Sequence, residues 1–412
     1  MSHRDDVLAH CRPDPELPFP KEEYRSRLDR IRTAMAAARL DVLLVTAPEG
    51  LNYISGYQCE WYQGQSPRQW PATSAIAIHV ERDRFIHFDT ERELVLTRFG
   101  SVAEDIRIFP PATMRDGIAF IAAELAREGW LPSTVGLEMH SYRPNRLISH
   151  RFEAALAGAG AKIVDGTDIL RAVRWVKSDA EMACLERAAR IADIGLRAAQ
   201  AELRPGVMEL EVYGAMFHAM TRAGGEGAAI YMPVLSGTKT NAPHALASRK
   251  RIQPGELVLV DVSGVYNRYH CNMARTYAMG EPKRDIADLC ARACGSMAVL
   301  RSILRPNLPV AELNRTMKSY YEAQGIWQDR GWIGGYEMGI AFPPDWVGNF
   351  VYDPLSPINA DRVFEPGTAV NYENQFFLPR HEGMYFMIET LLFKTDGAAF
   401  ASQVPYELTV ID

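Results

Sequence analysis

From Lys21 onward, apolar residues recur at helical spacing through YRSRLDRIRTAMAAARL, and the run DVLLVTA that follows predicts a short buried strand. SAIAIHV and RFIHFD predict paired strands. RDGIAFIAAELAREGW predicts an amphipathic helix, and TVGLEM another short strand. Strands alternating with helices in this way indicate an α/β domain. Within RWVKSDAEMACLERAA a long helix is predicted to start after Ser178. Ser178 is an N-cap residue type, and Glu181 stands three positions on, as a capping box requires. The domain boundary is placed just before this helix. Residues 1–20 then form a polar, Pro-rich arm, 21–170 a first domain and 171–412 a second. In the second, the strands lengthen: ELVLVDVSGVY, RYHCNMARTYAMG, TAVNYENQFFLP, GMYFMIETLLFKT and YELTVI. Helices are predicted at 208–223, 284–304 and 310–324. Strands in a meander with helices on one side indicate an α+β domain on a curved antiparallel sheet.

Composition narrows the partners. A chain of 412 residues is too long for one core and suits two. Its net charge of −6, without clustered basic residues, argues against nucleic acid or an acidic membrane surface as partner. No apolar run reaches bilayer-spanning length. MSHRDDVLAHCRPDPELPF has no apolar h-region, so no secretory signal is expected. The six cysteines form no CxxC pair, a pattern of reduced thiols that points to the cytoplasm.

Six motifs then occur in order: RWVKSDAEMACLERAA, VLSGTKTNAPHALASRKRIQPGELVLVDVSG, CNMARTYAMG, GGYEMGIAFPPDW, FEPGTAVNYENQFF and MIETLLF. Together they resemble the creatinase/aminopeptidase P/methionine aminopeptidase (M24, pita-bread) superfamily. The resemblance covers essentially the whole chain. It implies a creatinase-like N-terminal domain ahead of a pita-bread catalytic domain, with motifs most similar to ectoine hydrolase and then creatinase.

Peptidases of that superfamily hold two divalent metals with two Asp eleven residues apart, a His and two Glu. Position by position, the resemblance puts the first Asp on Asp261 and the second on Asn272. The His falls on Tyr336, and the two Glu fall on Glu373 and Glu389. One anion and the imidazole are therefore gone. Asn is a weak neutral ligand, and a phenol with a pKa of about 10 stays protonated at pH 7. A bridged metal pair needs charge that Asn272 cannot supply. The expectation is no metal cofactor. A single divalent ion on Asp261, Glu373 and Glu389, with Glu337 as an outside ligand, is the lesser alternative. Acids left around one cleft repel each other, and a cation relieves that repulsion. An amidinium or guanidinium fits carboxylates through paired N–H donors. The plainer alternative is that Glu373 or Glu389 pairs with a buried arginine such as Arg275.

In the creatinase-like branch the residue matching His244 acts on water first as general base and then as acid. A histidine near its ordinary pKa suits both roles. The resemblance thus implies His244, Glu373 and Glu389 as catalytic residues and Asp261, Asn272 and Tyr336 as substrate-binding ones. Phe342 and Trp346 are candidate pocket walls. It also implies a homodimer whose N-terminal domain covers the partner's site. That puts the aromatic-rich segment GYQCEWYQGQSPRQWP in the position of a lid. Tyr57, Trp61 and Tyr62 would stack on a planar cation, and Arg68 would bind a carboxylate. The expected activity is metal-independent C–N hydrolysis of a small solute such as ectoine or creatine. Competing readings are a metal-dependent Xaa-Pro dipeptidase, a lyase on a sulfonium or ammonium solute, and a catalytically dead binding module.

Overall fold

The computed structural model describes residues 2–59, 74–110 and 116–412. They form two compact units, Met1–Arg174 and Trp175–Asp412.

The first unit is a six-stranded sheet with helices. Its strands are β1 (Val42–Val45), β2 (Ala75–His79), β3 (Phe85–Asp89), β4 (Asp105–Ile108), β5 (Thr134–Leu137) and β6 (Lys162–Asp165), in the order β4-β3-β2-β1-β5-β6. β1 pairs antiparallel with β2 and parallel with β5, so the sheet is mixed. Helices α1 (His3–His10), α2 (Lys21–Ala37), α3 (Pro48–Ser55), α4 (Leu94–Gly100), α5 (Gly117–Arg127) and α6 (Arg146–Gly158) surround it. α7 (Thr167–Trp175) reaches the division between the units. The 1–20 segment is not only an arm, because α1 forms there with a Ser2–Asp5 capping box. It buries none of its residues.

The second unit opens with α8 (Asp179–Glu202), which starts where the capping box predicts. Ser178 accepts from Glu181 N, and Glu181 caps back. Then come α9 (Glu209–Arg222), β7 (Val234–Ser236), β8 (Leu257–Tyr266), β9 (Tyr269–Met279) and α10 (Arg284–Ile303). They are followed by β10 (Leu308–Pro309), α11 (Val310–Ala323), β11 (Arg330–Tyr336), β12 (Val351–Tyr352) and β13 (Val363–Phe364). The chain ends with β14 (Thr368–Phe377), β15 (Met384–Lys394), β16 (Gly397–Phe400) and β17 (Thr409–Ile411). The main sheet runs β12-β11-β14-β15-β9-β8-β7, with β16 beside β15 and β17 parallel to β9.

Strand alternation divides this sheet into two unlike faces. On one, Val370, Tyr372, Phe376, Tyr385, Met387, Leu391 and Phe393 pack with Leu289, Ala293 and Met297 of α10 and Leu313, Met317 and Tyr321 of α11. α8 covers the same face so closely that a Cβ on Gly264 would lie 1.9 Å from Ala188 O. The other face carries residues of opposite parity, among them Asp261, Asn272, Asn371, Glu373 and Gln375.

Candidate active site

The register across four strands fixes which residues share the open face. Asp261 on β8 stands opposite Ala274 on β9. Ala274 stands opposite Ile388 on β15, and Ile388 opposite Glu373 on β14. Residues two positions away along each strand project the same way. Asn272, Asn371, Gln375 and, through the Gly334–Glu373 pair, Tyr336 therefore join that face.

The side chains meet as this parity requires. Asn272 Nδ2 donates to Asp261 Oδ1 at 2.7 Å. Asn371 Nδ2 donates to Asn272 Oδ1 at 3.0 Å and to Glu373 Oε1 at 2.8 Å. Gln375 Nε2 donates to Glu373 Oε2 at 2.9 Å. The single Tyr336 hydroxyl proton is shared between two acceptors, Asn272 Oδ1 at 3.2 Å and the Glu373 carboxylate. Trp346 Nε1 donates to Tyr336 OH at 3.2 Å. Two carboxylates are thus bridged by neutral amides and a phenol.

Glu373 is buried, and both its oxygens are occupied. Asp261 and Tyr336 keep some exposure, and Asp261 Oδ2 has no protein partner among the described residues. Burial pushes the Glu373 carboxyl up to about 7 against the hydrogen bonds from Tyr336, Gln375 and Asn371. Burial, and then the nearby Glu373 charge, push Asp261 up to about 8. Burial and the two carboxylates push the Tyr336 phenol well above its usual value, so it stays a donor.

This donor set does not fit a two-metal centre. The carboxylates already accept amide N–H groups, and the phenol is held protonated. Among the described residues no cluster of three His, Cys, Asp or Glu side chains is arranged to hold a metal ion.

Three expected site residues are corrected. Glu389 is one residue out of phase with Ile388 and projects to the helix-covered face. There it pairs with Arg275 at 2.7 Å and accepts from Ser402 N at 3.0 Å. It is neither a substrate contact nor a ligand beside Asp261; the plainer alternative of an arginine partner is what the structure contains. Glu337 is likewise taken, by buried Lys177 at 2.6 Å. Tyr57 is buried, with its hydroxyl on Asp89 Oδ2 at 2.7 Å, so its ring is not a cation platform. Trp61, Tyr62 and Arg68 lie outside the described residues.

His270 has the parity of the open face, but its ring is committed. Nδ1 faces Arg268 O at 2.8 Å and Nε2 accepts from Ala229 N at 3.1 Å. Burial pushes its pKa down to about 3, leaving a neutral packing residue. Phe342 is buried under the Arg268 guanidinium, 4.8 Å from the ring centre.

His244 occupies an exposed turn after the short 3-10 helix Gly237–Asn241. Its neighbour Ala245 packs on Leu235, Leu259, Ala274, Met384, Phe386 and Ile388. Leu259, Ala274 and Ile388 belong to the open face, so the His244 turn lies over the face that carries Asp261. Sequence reasoning missed Asn371 and Gln375. A partial signal was present: Asn371, Glu373 and Gln375 in NYENQ share one strand parity, although the polar Asn374 between them blurs the alternation.

A mixed α/β domain ahead of a pita-bread α+β domain, with an acidic constellation on the open sheet face, defines a two-domain hydrolase of creatinase type. The chain belongs to metallopeptidase family M24. That family's model matches residues 183–396, more than half of the chain, and the creatinase/prolidase N-terminal domain model matches residues 27–176. Among curated relatives, an uncharacterized hydrolase/peptidase, y4tM, of Sinorhizobium fredii is 27% identical over 86% of this chain and 89% of its own length. The ectoine hydrolase of Halomonas elongata is 23% identical over 96% of this chain and 98% of its own. Among solved structures, an Xaa-Pro dipeptidase from Bacillus anthracis superposes with a TM-score of 0.74. It shares 22% identity and covers 94% of this chain and 100% of its own, which establishes the shared fold. No helix among the described residues is long and apolar enough to cross a membrane.

Proposed function

We propose that this M24 hydrolase cleaves a C–N bond in a small cationic solute of amidine, guanidine or cyclic-amide type, without a metal cofactor. The observation carrying the reading is the amide bridge from Asp261 through Asn272 and Asn371 to Glu373. It occupies the space where relatives with a second Asp would build a metal cage. A substrate cation docks on Asp261 Oδ2, with Glu373 supplying negative charge behind it. His244 takes a proton from water, and the resulting hydroxide attacks the substrate's sp2 carbon. The Tyr336 hydroxyl and the acids stabilise charge on the tetrahedral intermediate. His244 then returns its proton to the leaving nitrogen as the C–N bond breaks. The likeness to ectoine hydrolase over nearly the whole chain supports this substrate class. We propose further that the enzyme is a cytoplasmic homodimer in which the N-terminal domain of one copy covers the site of the other.

The Bacillus dipeptidase favours a second reading, a metal-dependent Xaa-Pro dipeptidase. One experiment separates the two. Protein dialysed against chelator is analysed for bound metal and assayed on ectoine, hydroxyectoine, creatine and Xaa-Pro dipeptides, with products identified by mass spectrometry. Turnover of an amidine or guanidine at substoichiometric metal is expected. Chelator-sensitive turnover of Xaa-Pro alone would reject the proposal.

A further inference from the structure

A buried carboxylate ties together both arms of the loop that carries His244. Glu209, the first residue of α9, is fully buried. Its Oε1 accepts from Ser236 N at 3.0 Å and Ser236 Oγ at 2.9 Å. Its Oε2 accepts from Ser248 N at 3.0 Å and Ser248 Oγ at 2.9 Å. Ser236 ends β7, and Ser248 lies just beyond His244 in the chain. Lys239 completes the arrangement. Its Nζ donates to Glu209 Oε2 at 2.5 Å, to Leu246 O at 2.7 Å and to Ser248 Oγ at 3.0 Å. All three ammonium hydrogens are used. On the sheet side, Thr240 Oγ1 accepts from Met384 N at 2.7 Å, and Ala245 sits on the apolar patch around Ile388.

An ion pair with one partner buried and the other, Lys239, partly exposed adds little net stability. What this pair does instead is specify geometry, because its donors come from both sides of a single turn. We propose that the Glu209–Lys239 pair is a positioning device for His244, presenting the imidazole at one fixed distance from the substrate carbon. This rests on His244 being the general base. Neither Glu209 nor Lys239 touches substrate; they act through Leu246 and Ser248.

The test compares Lys239→Met, Lys239→Arg and Glu209→Gln with wild type and His244→Ala. Hydrogen exchange is followed across 238–247, and kcat and KM are measured on whichever of ectoine or creatine the wild type turns over. Lys239→Met is expected to speed exchange in that loop. A base displaced by about 1 Å is expected to lower kcat about 100-fold. KM stays within about threefold of wild type, because substrate docking is untouched. Lys239→Arg restores most of kcat by keeping the charge and several donors. Wild-type kcat in both Lys239→Met and Glu209→Gln, beside an inactive His244→Ala, would overturn the positioning role. Unchanged loop exchange in both variants would overturn it whatever the activity. Wild-type turnover by His244→Ala would instead remove the base assignment, and this proposal with it.

Discussion

Replacing Asn272 by Asp would set two carboxylates in contact, since Asn272 Nδ2 now donates to Asp261 Oδ1 at 2.7 Å. One of the pair must then hold a proton or lose its partner. The Asn272→Asp variant is expected to lose about 1–3 kcal/mol in urea unfolding at pH 8 and much less at pH 5. An equal loss at both pH values would contradict this account. The native acids carry their own pH signature. The ordinary values of 3.8 for Asp261 and 4.5 for Glu373 rise in the folded protein to about 8 and about 7. Between these limits the folded state binds more protons than the unfolded chain. The stability contributed by the protonated pair is therefore full below about pH 4 and is lost as pH rises towards 8. Asp261→Asn and Glu373→Gln should each flatten that decline, read as unfolding midpoints at pH 5 and pH 8.5. A bound cation favours the charged forms, so binding at pH 7 should release a proton. Calorimetry in two buffers of different ionisation enthalpy will detect it; identical heats would argue against a cationic ligand at Asp261.

Ile388 and Glu389 are adjacent in the chain but face opposite sides of β15, and this alternation decides what each can do. Glu389 holds Arg275, which also donates to Ile388 O at 2.8 Å, Val404 O at 2.9 Å and Pro405 O at 2.8 Å. The pair anchors the C-terminal segment. Glu389→Gln leaves the buried guanidinium without its anion and is expected to cost about 3 kcal/mol of stability. Substrate KM at a temperature where the variant is folded should not change. Glu373→Gln should do the reverse, with turnover falling and stability unchanged or raised. Loss of substrate binding in Glu389→Gln at full stability would return that residue to the site. This is also where sequence reasoning stopped. Apolar periodicity located β8, β9, β14 and β15, and the helix predicted at 284–304 is observed as Arg284–Ile303. A motif match, however, places a residue along a strand and not on a face. The Glu373–Ile388 pairing across the β14–β15 hairpin, with Ala274 of β9 opposite Ile388, is what separates Glu389 from Glu373. The facing of His270 cannot be read from strand position for the same reason, and its committed ring nitrogens settle it. The Tyr57 hydroxyl lies on Asp89, a partner 32 positions away that local aromatic density could not reveal.

For the whole molecule, the proposed sharing of a site between copies makes a prediction that no single chain can meet. Arg68→Ala and His244→Ala homodimers are each expected to be inactive or nearly so. Refolding the two together should restore up to about one quarter of wild-type activity averaged over all dimers in the mixture. That figure is the product of two statistical halves, one intact site in half of the dimers. Mixtures no more active than the parents would place the lid residue and the base in the same copy, or show that Arg68 has no role. The domain composition was legible because six motifs span both units in order. The chemistry was less so, because it depends on which atoms of Asp261, Asn272, Asn371 and Glu373 face one another.

The arrangement of the open face also constrains how this protein could change. In this register, a metal cage on the open face would need an anion at 272, an imidazole at 336 and a β15 carboxylate on the side of Ile388, because Glu389 is held on the other face by Arg275. Each step taken alone buries a charge or a donor without a counterpart. Asp at 272 confronts Asp261, His at 336 removes the hydroxyl from Asn272 and Glu373, and Glu at 388 enters the apolar patch under Ala245. Each single change is therefore expected to lower stability, so stepwise conversion of the amide-bridged site into a metal cage should be disfavoured.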